Sequence, residues 1–270
     1  MKPSRRQVSA HLTMDVEEPA RVMVQLALAD FAPMQVNETL DAFSGGLPIE
    51  IREIVVPGEG RVHTCHPPPG RLEITYDAVA EGVAAVPRVE DADRIRYRRP
   101  SRYAESDRLA PIAQAEFAGI TEPSELLAAV SSWVGDRLSY VPGSSGPTDG
   151  AVDTMLKRSG VCRDYAHLVI ALLRAMDVPA RLVAVYAPGL HPMDFHAVAE
   201  VAVDDVWRVV DATLLAPRSS LVRIGTGRDA ADTAFLSTYG GQVTLLESEV
   251  TATIDGRLPG DDITEMVSLQ

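Results

Sequence analysis

The hydrophobic period of this chain changes twice, and those changes limit the fold more than any single motif does. The first hundred residues alternate with period two. In 21–29 the side chains of Val22, Val24, Leu26 and Leu28 fall on one side, and 49–56 and 72–79 are two more short runs. Glycine and proline at 45–46, 57–58 and 67–70 bound these runs, which predicts a small antiparallel sandwich. Helical spacing then takes over. Thr121 can cap a helix with Pro123 in its first turn, and Leu126, Leu127, Val130 and Val134 share one face. A short helix is predicted over 153–158, ended by Ser159-Gly160, and a stronger one from Cys162 to Met176. Val169, Leu172, Leu173 and Met176 give that helix its apolar face, and Asp177-Val178-Pro179 stops it. Alternation returns at 181–187, 196–203 and 206–213, the last two joined by a turn at Asp204-Asp205. The order β, then α, then β predicts an α+β fold. Seven arginines between Arg88 and Arg108 are mixed with five carboxylates and show no hydrophobic face, so that stretch reads as a solvated connection between two parts.

Composition removes several function classes. A chain of 270 residues makes one large or two modest domains, and can bury roughly 70–75% of its unfolded surface without a disulfide or metal. Asp and Glu total 38 against 25 Lys and Arg, a formal charge of −13. Such a surface repels phosphate backbones and anionic lipid, so neither a nucleic acid nor a membrane is an expected partner. No apolar run reaches the roughly 18 residues of a membrane span, since 168–173 stops at Arg174. The basic start is not followed by an apolar stretch, which makes it a poor secretory leader, and a cytoplasmic location is expected. The two cysteines, Cys65 and Cys162, exclude a disulfide scaffold and a four-thiolate zinc site, but leave room for one catalytic thiol.

Cys162 follows Gly160-Val161 and opens the strongest helix. Unpaired N–H groups at a helix start favour a thiolate and can hold a developing oxyanion. A lone cysteine there is also compatible with a small buried hydrophobe. The hairpin supplies what the thiol lacks. With a two-residue loop at 204–205, Val203 faces Val206, Val198 lies opposite Asp211, and His196 lies opposite Thr213. His196 and Asp211 then point to the same side as diagonal neighbours, within reach of a hydrogen bond that fixes the imidazole. Nucleophile, base and orienter together are the logic of cysteine hydrolases and transferases. His167, about 140° round the helix from Cys162, cannot serve the thiol and reads as a surface or packing residue. His191 sits in a proline-rich loop and is a minor alternative base. Asp164 reads as a cap, Tyr165 as a cleft residue one turn from Cys162, and Trp207 as core. Neither His63, Cys65 and His66 nor His191, Asp194 and His196 make a convincing metal site. No metal and no cofactor is expected.

At these residues the chain resembles the bacterial transglutaminase-like family of the papain-like cysteine peptidase superfamily. The resembling stretches are 160–168 (GVCRDYAHL), 195–201 (FHAVAEV) and 207–213 (WRVVDAT), with weaker likeness at 140–148 and 224–232. The likeness covers roughly 101–245, and the order of nucleophile, base and orienter agrees with the family. It implies an N-terminal β-sandwich over 1–100, a transglutaminase-like catalytic part over 101–255 with the cysteine helix packed on an antiparallel sheet, and a tail over 256–270. It implies Cys162 as nucleophile, His196 as base and Asp211 as orienter, with Tyr140 and Tyr165 near the substrate. Family members often carry Trp where this chain has Val198 and Pro where it has Ala212. The expected activity is acyl transfer from a peptide or side-chain amide through a thioester, with hydrolysis favoured over protein cross-linking. Acetyl transfer from a thioester donor and a non-enzymatic protein-binding role remain alternatives. A protein or peptide substrate is the expected partner.

Overall fold

The computed structural model describes residues 5–29 and 33–270. Seven strands come first: β1 (Arg5–Val16), β2 (Ala20–Val24), β3 (Gln35–Ser44), β4 (Leu47–Pro48), β5 (Arg52–Val56), β6 (Gly60–Cys65) and β7 (Gly70–Glu81). A largely helical section follows, with α1 (Asp91–Arg96), α2 (Ser106–Phe117), α3 (Pro123–Arg137), β8 (Ser139–Tyr140), α4 (Ala151–Lys157), β9 (Ser159–Gly160) and α5 (Cys162–Ala175). The chain ends in β10 (Ala180–Tyr186), β11 (Phe195–Val203), β12 (Val206–Val210), β13 (Val222–Gly227), α6 (Ala230–Thr233), β14 (Leu236–Gly240) and β15 (Val243–Ile254). The architecture is α+β with antiparallel main sheets, as the changes of period predict. No helix of the described residues is long and apolar enough to cross a membrane.

Two sheets and one helical layer enclose the cores. A five-stranded sheet runs β15-β1-β7-β3-β4, and a larger one runs β12-β11-β10-β13-β6-β2-β14 with β5 also on β6. One core packs the helices, including Val130, Leu168 and Leu172, against Leu182, Ala199 and Val201 of the larger sheet. A second packs Leu12, Met14 and Ile74 of the five-stranded sheet against Val22, Val24, Tyr186 and Ile224. Strand pairing therefore crosses residue 100. Gly60 pairs with Gly225, Thr226 N–H donates to Glu59 O at 2.7 Å, and the Tyr186 hydroxyl donates to Leu26 O at 3.0 Å. The strands β14 and β15 return to pair with β2 and β1. The boundary read at residue 100 marks a change of sequence character, while the larger sheet runs through it.

Two segments differ from expectation. The arginine-rich stretch keeps its charged side chains at the surface, with no buried residue in α1, but it is more than a connection: it forms α1 and docks on the β11–β12 hairpin through the residues that flank that helix. Tyr97 is buried edge-on to Trp207 at 5.6 Å between centroids, and Val89 N–H donates to Asp205 O at 3.0 Å. Val89 and Tyr97, which flank the helix, seat it against Trp207, while Ile95 and the charged side chains of the helix stay at the surface. The stretch 256–270 is not a loose tail either. Leu269 is buried, Val267 O accepts from Val209 N–H at 2.8 Å, and Arg218 forms an ion pair with Asp261.

Candidate active site

Helix α5 starts at Cys162 because of what lies on either side of it. Asp164 closes the first turn by accepting Val161 N–H at 2.8 Å, and it also accepts the Ser145 hydroxyl at 2.9 Å. This is the capping role read for Asp164. The close approach requires Gly160, since a Cβ there would stand 2.7 Å from the Asp164 Cβ. Immediately upstream, β8 and β9 pair in parallel, with Tyr140 beside Gly160 and Val141 N–H donating to Gly160 O at 3.0 Å. This short ladder sets the Tyr140 hydroxyl against the backbone N–H and sulfur of Cys162. Burial first, and then the sulfur, pushes the Tyr140 pKa up to about 12.

The β11–β12 hairpin turns at Asp204 and Asp205, whose φ values of 49° and 61° put both in the left-handed region. Two such residues make the turn that suits a two-residue hairpin loop. The register runs from Val203↔Val206 to Ala199↔Val210, the pairing that the sequence predicts. Asp211 falls one residue beyond the last pair. Its Oδ2 lies 2.7 Å from His196 Nε2, and its Oδ1 accepts the Thr213 N–H at 2.9 Å and the Thr213 hydroxyl at 2.7 Å. Both members of the pair are buried, His196 at 2% exposure and Asp211 at 3%.

Burial alone would drive the imidazole to its neutral form. The charge and hydrogen bond of Asp211 outweigh it, the Cys162 sulfur adds to them, and the His196 pKa rises to about 10. Asp211 moves the opposite way. Burial opposes its charge, but His196 and Thr213 hold it below the usual carboxylate range. With Nε2 engaged by Asp211, the buried Nδ1 has no hydrogen-bond partner among the described residues and is the nitrogen left for the thiol. Cys162 is partly exposed, and it shares with His196 a cavity of about 620 Å³. The cavity lies where the two cores meet, walled by Leu182, Ala184, Phe195, Ala197, Ile224 and Phe235.

The other residues read from sequence go to different places. Tyr165 is buried in the helical core with its ring 6.0 Å from that of Tyr140; neither ring lines the cavity, and Tyr140 reaches the site only through its hydroxyl beside Cys162. His167 is fully buried rather than on the surface. Its Nε2 accepts Ala230 N–H at 3.1 Å, its ring stacks on Tyr103, and burial pushes its pKa down to about 3. His191 is exposed, whereas Asp194 lines the cavity and accepts its neighbour's N–H. Trp207 is core. Cys65 is buried, and its pKa is pushed up to about 11 by that burial. Among the described residues no group of three His, Cys, Asp or Glu side chains is arranged to hold a metal. Sequence reasoning missed Thr213, although Asp-x-Thr is a local turn signal. It also missed Gln25 and Phe235, which reach the cavity only through long-range strand pairing.

With this geometry in place, comparison with known proteins is informative. A family model described as the transglutaminase-like superfamily matches residues 111–212. A crystal structure from Cytophaga hutchinsonii, described as a candidate cysteine protease, is 30% identical, with a TM-score of 0.90 over 100% of this chain and 98% of that one. An uncharacterised protein of Mycobacterium leprae (strain TN) is 25% identical over 202 residues, which is 70% of this chain and 69% of its own.

Proposed function

Because this chain belongs to the transglutaminase-like superfamily, with a transglutaminase-like cysteine protease fold, we propose that it is a cysteine-nucleophile acyl-transfer enzyme that hydrolyses amide bonds in a protein or peptide substrate. The observation that carries the proposal is the buried His196–Asp211 hydrogen bond at 2.7 Å, on a histidine that opens onto the same cavity as Cys162. The roles follow from the atoms. His196 Nδ1 takes the thiol proton, and Asp211 stabilises the resulting imidazolium. Cys162 Sγ attacks the carbonyl carbon. The oxyanion lies between the Cys162 N–H and the Tyr140 hydroxyl, which face one another at the start of α5. The C–N bond breaks as Nδ1–H protonates the leaving amine, leaving a thioester on Cys162. Water, deprotonated by the same imidazole, then releases the acid and restores the thiol.

Hydrolysis is preferred over cross-linking because water is always at hand to resolve the thioester. The test is turnover of a quenched-fluorescence peptide library, with and without a primary amine such as glycine methyl ester. Net hydrolysis that disappears in Cys162→Ala is the expected result. Amine incorporation exceeding hydrolysis at millimolar amine would replace hydrolysis by transamidation. Full activity in Cys162→Ala would end the proposal.

A further inference from the structure

One wall of the cavity runs from β11, which carries His196, out to strands that carry no catalytic group. Ala197, Ala184, Gly225 and Gly60 are successive cross-strand neighbours on β11, β10, β13 and β6. Partners across a sheet share a face, so this row of minimal side chains forms a trough, and Ala197 and Ala184 line the cavity. Over its far end lies the side chain of Gln25, the residue after β2. A Cβ on Gly225 would stand 2.3 Å from Gln25 Nε2, and one on Gly60 would stand 3.1 Å from it. Both glycines therefore make the seat of this carboxamide. Gln25 is 4% exposed and lines the cavity, and its carboxamide has no hydrogen-bond partner among the described residues. Its backbone is fixed, with N–H donating to Phe235 O at 3.0 Å.

The two glycines thus hold the carboxamide on the cavity wall, where its donor and its acceptor both meet whatever fills the cavity. We propose that Gln25 is a specificity residue, and that it hydrogen-bonds an uncharged amide group of the substrate lying along the trough. This rests on the cavity being the acyl-transfer site. The chemistry of the wall chooses the ligand class. The cavity side chains from the segments around β2, β13 and β14 are Gln25, Ile224, Phe235, Leu236 and Ser237, all uncharged, while the charged lining residues Arg102, Arg163 and Asp194 come from other segments. A carboxylate would satisfy only the Gln25 N–H groups and leave Oε1 facing negative charge. An ammonium would satisfy only Oε1 and leave the Gln25 N–H groups facing positive charge. A second amide satisfies donor and acceptor together. That amide is either a Gln or Asn side chain, whose apolar stem the trough accommodates, or a peptide group of the substrate backbone.

The test uses binding to the full chain carrying Cys162→Ala, so that it does not depend on turnover. The probes are acetylated, amidated alanine hexapeptides with one guest residue, Gln, Met, Glu or Lys, moved through all six positions, and calorimetry reads the affinity. Side-chain recognition is expected to favour Gln over the isosteric Met by tenfold or more at one position, because a site built for a hydrogen bond rejects the analogue lacking it. Gln25→Met should bring that ratio within twofold. Backbone recognition instead gives no guest preference, but a uniform loss of tenfold or more on Gln25→Met. Gln25→Glu, which keeps the side-chain shape, should reproduce the loss. A thermal melt on each variant identifies a misfolded one, and the other variant then carries the comparison. Guests equal within threefold at every position, together with affinity unchanged by both substitutions, overturn the proposal. Failure of the hydrolysis reading would look different, with Cys162 inert toward the library while this discrimination persists.

Discussion

Asp211→Asn isolates the electrostatic part of the site. Asparagine keeps the shape and can still meet Thr213, but it brings no charge to the buried imidazole. In the native protein His196 is protonated up to about pH 10 instead of its ordinary 6.5, which at 1.36 kcal/mol per pKa unit is about 5 kcal/mol in favour of the imidazolium. Without the carboxylate, burial has nothing comparable to oppose it, and the ring titrates below its ordinary value. Cys162 then loses the cation beside its sulfur. Alkylation of Cys162 by iodoacetamide at pH 6 should therefore fall by on the order of tenfold or more. The assay is the pseudo-first-order rate of adduct formation by mass spectrometry from pH 5 to 9.5, where the variant's rising limb should move to higher pH. Stability gives a second readout. A raised histidine pKa contributes stability that is fully present below about 6.5 and is lost as pH rises through about 10. The native melting temperature should thus drop across that window, and the Asp211→Asn curve should be flatter there. Equal alkylation rates for the two proteins at pH 6 would refute the reasoning.

Cys65 provides an internal control: burial holds its thiol protonated, so iodoacetamide at pH 6–8 should label Cys162 alone in the folded protein and both cysteines in denaturant, as peptide mapping would read. Tyr140→Phe removes the proposed hydroxyl donor to the oxyanion and should lower kcat on the order of 10²-fold with little change in Cys162 alkylation, whereas a purely structural role predicts that both rates fall together. Glu200 is fully buried between Arg181 and Arg223, with Arg181 over the Trp207 ring, so Glu200→Gln leaves unbalanced cations and should cost about 3–5 kcal/mol in urea unfolding. Burial opposes the Glu200 charge, but the two arginines hold its pKa well below normal. Its contribution is therefore present above pH about 4.5 and lost as pH falls through the lowered value, and the acid limb of the native stability curve should be shallower in Glu200→Gln.

How far the sequence could be read depended on the range of the interaction that set each element. The His196–Asp211 alignment depends on a two-residue loop and a period of two, both local, and the observed register at 199–210 agrees with it. Helix α5 was equally accessible, because the 160–164 start and the Asp177–Pro179 stop lie next to its apolar stripe. Helix α3 begins one residue later than a Thr121 cap implies, with Glu122 at its N-cap. Helix α2 went unread because Pro111 sits inside it, and proline normally argues against a helix interior. Strands β14 and β15 were missed because their burial depends on β2 and β1, more than 200 positions away. Gln25 shows the limit most clearly. Between Val24 and Leu26, alternation assigns it to solvent, yet it is 96% buried because the chain leaves β2 at Val24 and two distant glycines make room for it.

These ranges divide the site into two parts with different physical origins. The groups that move protons, Cys162, His196 and Asp211, ride on one helix start and one hairpin, and neighbouring residues fix their positions. The cavity that must select a substrate is closed by a bulge at Ile224 in the β10–β13 ladder and by the pairing of Gly225 on β13 with Gly60 on β6. Reactivity and selectivity should therefore respond to different substitutions. A Cβ at Gly225 would meet Gln25 Nε2 at 2.3 Å and Glu59 O at 2.9 Å, so Gly225→Ala must shift the carboxamide or part the strands. It should change which peptides bind while the pH profile of Cys162 alkylation keeps its shape, because β10 and β13 lie between the His196–Asp211 hairpin and β6 in the sheet. If Gly225→Ala moved that profile by a full pH unit, the two halves of the site would be mechanically coupled across β10, and this separation of chemistry from recognition would be wrong.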